Sequence, residues 1–131
     1  MRIGVLIFFF FLPLYASAFQ HFLCTDISTA GVVYYEGDIF PKALPNEQFS
    51  IKTDDWKTIK RKDIGYLGDE EYLMKCEGVG FGLVSCYDET RTIMINKRTK
   101  QYTKSEPGYG ILRDDLKAGR VTASYGTCER L

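Results

Sequence analysis

The chain predicts an exported all-β domain: a small antiparallel barrel or sandwich of about seven or eight strands, stapled by two disulfides. Three observations carry this. Residues 1–18 hold the parts of a secretory signal in order: basic Met1-Arg2, the apolar run Ile3 to Leu14, and the small-residue site Ala16-Ser17-Ala18. The four cysteines, Cys24, Cys76, Cys86 and Cys128, all lie beyond it. Export would place them in an oxidising compartment, where they can pair. Glycines and turn residues then recur at short intervals, and no long stripe of period 3.6 appears.

The apolar run of the leader is about 12 residues, whereas a membrane span needs roughly 20. Pro13 interrupts it further. Cleavage after Ala18 is therefore expected, leaving 19–131 as one domain with no stable membrane insertion. Phe19, not cysteine, follows the site, so no lipid anchor is expected. Basic and acidic residues balance at 17 each, and loss of Arg2 leaves the mature chain one unit acidic. That balance argues against a nucleic-acid partner and against general attraction to anionic membranes.

The first strand is expected over Gln20 to Thr25 and a second over Gly31 to Tyr35. Pro41 and Pro45 predict a loop, because proline cannot donate to a ladder. Phe49 and Ile51 alternate within Gln48 to Lys52, a short strand. Thr53-Asp54-Asp55-Trp56 could open a short helix with Thr53 as its cap. Trp56 to Lys62 reads equally well as a strand. Residues 71–77 and 81–87 form a hairpin around Gly78-Val79-Gly80, since glycine supplies the positive φ of a tight connection. Strands 91–97 and 100–104 follow, separated by a turn near Asn96 to Thr99. Asp114 to Ala118 predicts one helical turn stopped by Gly119. Arg120 to Arg130 closes the domain. Val121, Ala123 and Tyr125 share a face there, and Gly126 would mark a bulge because Cys128 falls out of phase.

Four cysteines allow three connectivities. Cys76–Cys86 with Cys24–Cys128 is favoured. Cys76 and Cys86 lie symmetrically about Phe81, as opposed residues of a hairpin should. The second bridge would join the first strand to the last.

Reactive signatures are weak. His21 is the only histidine, and no nucleophile motif surrounds Ser28 or Thr29. The carboxylate pairs Asp54-Asp55, Asp69-Glu70-Glu71, Asp88-Glu89 and Asp114-Asp115 have the spacing of turn residues, not of acids opposed across a cleft. Asp63 to Glu71 lacks the alternating oxygens of a calcium loop. Zinc ligands are not clustered. No catalytic residue, metal or cofactor is assigned. Two features suit a binding surface instead. Tyr34 and Tyr35 are consecutive on a strand, so one must face outward. Trp56 stands beside a basic group of Lys57, Lys60, Arg61 and Lys62, which would otherwise be a solvated edge strand.

Cys24 with Ala30-Gly31 and its aromatic strand, Phe49-Ser50-Ile51, Cys76 and Cys86, Ile93-Met94-Ile95-Asn96, and Tyr125-Gly126-Thr127-Cys128 together resemble small secreted disulfide-containing β proteins of proteobacteria. The resemblance spans most of the mature chain and implies no activity, because none is assigned to that group. In size, compartment and strand content the chain is also similar to small periplasmic lysozyme inhibitors. Their inhibitory loop has no counterpart here beyond Lys104-Ser105 before Gly108-Tyr109-Gly110, so that likeness concerns the fold alone.

The expected role is a non-enzymatic binding protein of the periplasm or extracellular space, with a protein or small-ligand partner. The competing classes are a carboxylate-pair hydrolase and an accessory subunit of a secreted assembly.

Overall fold

The computed structural model describes residues 19–64, 71–106 and 118–131. The expected leader at 1–18, the segment around Asp69-Glu70, Gly108-Tyr109-Gly110 and most of the expected helical turn at Asp114 to Ala118 lie outside them. The described residues form nine strands and no helix: β1 (Gln20–Tyr35), β2 (Asp38–Ala43), β3 (Gln48–Thr53), β4 (Thr58–Ile64), β5 (Glu71–Gly80), β6 (Leu83–Tyr87), β7 (Thr92–Asn96), β8 (Gln101–Glu106) and β9 (Ala118–Arg130).

From β3 to β9 each strand pairs antiparallel with the next. β9 then pairs along β1, and the first part of β1 pairs with β3, which closes an eight-stranded barrel. Closure decides between the barrel and sandwich alternatives, and it leaves the ring without a free edge. β2 stands outside the ring. It pairs with the later part of β1, from Ala30↔Ala43 to Tyr35↔Asp38.

The two strands expected over residues 20–25 and 31–35 are one continuous strand. A bulge at Ile27 separates its halves, since Asp26 opposes Gly126 while Ser28 opposes Tyr125. The extra residue therefore lies in β1 and not at Gly126. No bulge is needed to bring Cys128 into phase. The interior face of β9 is the set Ser124, Gly126 and Cys128, and Val121, Ala123 and Tyr125 face out.

Pro41 belongs to β2, not to a loop. The amide of Leu44 donates to the Thr29 carbonyl (3.1 Å), so alternate β2 residues Lys42, Phe40 and Asp38 direct their backbone groups at β1. Pro41 falls between them, and its missing N–H faces the free edge, where no donor is required. Residues 53–57 make a turn and no helix. Thr53 Oγ1 accepts from the Trp56 amide (3.1 Å) and donates to the Thr58 carbonyl (2.8 Å). The glycine-rich connection also shifts: Gly78, Val79 and Gly80 extend β5, and the turn itself is Phe81-Gly82.

Inward side chains fill the lumen. Phe22, Phe49, Ile51, Ile59, Met74, Val84, Ile93, Ile95 and Tyr102 are buried together with the Cys24–Cys128 disulfide and Cys86, whose bridge partner Cys76 is half-buried. Each bridge joins directly opposed residues, Cys24↔Cys128 and Cys76↔Cys86. Trp56 closes one end by packing on Phe22, with ring centroids 5.6 Å apart. Close backbone approach explains one glycine: a Cβ on Gly31 would stand 2.3 Å from the Val121 carbonyl oxygen.

Candidate functional site

Toward the end opposite Trp56 the lumen turns polar. Asp26, carried inward just before the bulge, accepts from Tyr102 Oη (2.5 Å) on Oδ1. Its Oδ2 accepts from Thr29 Oγ1 (3.1 Å) and the Glu47 amide (3.0 Å), and pairs with Lys104 Nζ (3.2 Å). Thr29 also bonds Ser124 Oγ (3.1 Å). Desolvation, reinforced by the bond to Asp26, pushes the Tyr102 phenol far above its ordinary pKa.

A second group forms around Arg61, which is 1% exposed. Its Nε donates to Asp63 Oδ1 (2.9 Å), and its Nη1 reaches across the lumen to Glu106 Oε1 on β8 (2.6 Å). Burial opposes its charge, but Glu106 and Asp63 outweigh that cost and raise its pKa. The Phe49 ring lies between the groups, 4.6 Å from the Arg61 guanidinium carbon and 5.0 Å from Lys104 Nζ. Asp26 is thus engaged by three side chains and the Glu47 amide, and Arg61 by the carboxylates of Asp63 and Glu106. Their evident work is to fill the polar end of a closed lumen and to hold the bulge in place.

An exposed apolar surface lies outside, on β2, β1 and β9. The register aligns Ala43, Ala30 and Ala123 in one row, and Pro41, Val32 and Val121 in the next. Ile39, 64% exposed, extends the surface on β2. Beyond Ala30 and Ala123 it continues into an open depression of about 440 Å³, whose lining includes Met94, Thr103 and Tyr125. The inward side of the same arm exposes Tyr35 and Phe40.

The sequence-derived binding residues do not form one site. Tyr34 and Tyr35 lie at the tip of the β1–β2 arm, and for Tyr34 only the backbone position is described. Trp56 and Lys57 lie at the opposite end of the barrel. Lys60 is exposed on β4, whereas Arg61 points into the lumen. The basic group therefore splits by strand parity, because successive side chains point to opposite faces. Sequence reasoning did not mark Ile39, Phe40, Val32 and Val121. The signal was present as apolar residues on both sides of the Tyr35-Glu36-Gly37-Asp38 turn. Assigning Pro41 to a loop concealed it. No protein-family model, curated protein or solved structure matches the chain.

Proposed function

We propose that this is an exported, non-enzymatic binding protein of the periplasm or extracellular space, and that it holds a protein partner on the outer face of β2, β1 and β9. One observation carries the reading. The barrel closes without β2, all six β2 residues are exposed, and yet the strand presents Ile39 (64% exposed) and Pro41 on its outer face. A strand that adds nothing to the core but bears exposed apolar side chains has the character of an interaction surface. Pro41 removes a donor from the free edge, which favours docking on the face over addition of another strand. The leader and the two disulfides support export, since such bridges are consistent with an oxidising environment.

The test is affinity capture from periplasm and culture fluid with the wild type and with Ile39→Asp. A partner retained by the wild type should be lost by the variant, while both melt at the same temperature. Retention of the same proteins by both would remove this face as the binding surface.

A further inference from the structure

We propose a second surface, independent of the first: the β5–β6 hairpin tip, together with the β7–β8 turn, adsorbs reversibly to anionic lipid. The tip departs from what folding alone would select. Phe81 is 97% exposed and adopts φ +56°, between Gly80 at +90° and Gly82 at +76°. A residue other than glycine or asparagine is disfavoured in this left-handed region, and a large apolar side chain there leaves its whole surface in water. Glycine at 81 would relieve the strain and asparagine would lessen it. Val79, at the bulge two residues earlier, is also exposed. The flanking glycines leave the tip uncrowded: no atom lies within 4 Å of a Cβ built on Gly78, Gly80 or Gly82.

Two further features make the tip a rigid probe. The Cys76–Cys86 bridge staples the two strands of the hairpin within the barrel wall, below the tip. The Lys97 amide donates to the Gly82 carbonyl (2.9 Å), which locks the β7–β8 turn against the tip. That turn is held by Asn96, whose Oδ1 accepts from the Arg98 and Thr99 amides (2.9 and 3.1 Å). It presents Lys97 and Arg98 to solvent beside Phe81. Lys100 folds back over the Phe22 ring instead. The result is an apolar point flanked by two exposed cations. A bilayer with anionic headgroups offers the complementary arrangement, acyl chains beneath a layer of negative charge. A single protruding point needs no matching relief in its partner, which favours a fluid surface over a shaped protein pocket. The near-neutral net charge of the chain makes the attraction local, and hence weak and salt-sensitive.

The test is cosedimentation with vesicles of phosphatidylcholine alone and with about one-third phosphatidylglycerol. Wild type, Phe81→Asn, Phe81→Gly and Lys97→Gln/Arg98→Gln share one N terminus, so any contribution from residues 3–14 cancels. Binding of the wild type to the anionic vesicles should fall roughly fivefold or more in each variant, and should weaken as salt is raised. The Phe81 variants should melt at or above the wild-type temperature, which separates loss of binding from loss of fold. Failure of the wild type to sediment with the anionic vesicles, or equal binding by Phe81→Asn, would overturn the proposal. So would a photo-crosslinker at position 81 that labels an envelope protein while the vesicles go unbound. None of these results bears on capture through Ile39.

Discussion

Tyr102 donates its hydroxyl hydrogen to Asp26 across the interior of the barrel, at 2.5 Å. The bond links β8 to the residue that precedes the β1 bulge. A hydrogen bond to a carboxylate typically contributes about 1.5–3 kcal/mol, and Asp26 is fully desolvated on its side chain. Tyr102→Phe should therefore lower stability by about that amount in urea denaturation. Its pH signature is specific. The folded-state pKa of Tyr102 lies above the ordinary tyrosine value of 10.0. The unfolded chain thus releases this proton first. The contribution is complete below pH 10 and is lost as pH rises beyond it, by about 1.4 kcal/mol per pH unit. Tyr102→Phe should flatten this alkaline limb; an unchanged limb would show that the phenol is not held protonated by its site.

Gly126 is what admits the Tyr102 ring. A Cβ at this position would lie 2.2 Å from the Thr25 carbonyl oxygen and 2.5 Å from Tyr102 Oη. Neither the β1 backbone nor the ring can yield without disturbing the bulge. Gly126→Ala should cost more than about 3 kcal/mol, well above the usual effect of such a change in a strand. A melting temperature within a few degrees of wild type would contradict this packing.

Lys60 and Arg61 are adjacent and both basic, but their replacement should have opposite consequences. Lys60 is exposed on the outer face, so Lys60→Ala should stay within about 0.5 kcal/mol of wild type. Arg61→Met leaves Asp63 and Glu106 without the cation between them and should cost about 3–5 kcal/mol. Thermal denaturation of the two variants provides the comparison, and equal effects would contradict the inward placement of Arg61.

The two disulfides should differ in worth. Cys24 and Cys128 are separated by 104 residues and Cys76 and Cys86 by 10. The chain-entropy model assigns about 4–5 kcal/mol to the long loop and about 2–3 kcal/mol to the short one. Paired alanine replacements at 24 and 128 should thus destabilise the protein more than those at 76 and 86. Peptide mapping without reduction should recover only these two linked pairs.

Local sequence carried much of the fold. The meander from β5 to β8 is legible because short stretches of period two, such as Ile93 and Ile95 or Met74 and Cys76, are separated by glycine and turn residues. The pairing of Cys76 with Cys86 followed from hairpin symmetry. Elsewhere a local rule met a tertiary exception. Pro41 reads as a loop until the register shows its nitrogen facing the free edge. Arg61 reads as surface because it stands among lysines, and alternation groups Val121, Ala123 and Tyr125 on one face without saying whether that face is inside or outside.

By itself the sequence determined an all-β chain with regular turns and the favoured disulfide pairing. These depend on strand periodicity, glycine placement and cysteine spacing, all short-range or countable. Only the tertiary structure decided which face of each strand is inside. Closure of β9 onto β1 turns Ser124 and Gly126 inward, seats Tyr102 against Asp26, draws Arg61 across to Glu106, and leaves β2 outside the ring. The physical reason is that alternation defines two faces without naming them. The choice belongs to contacts between residues far apart in the chain, and here paired charges made a polar set suitable for the interior.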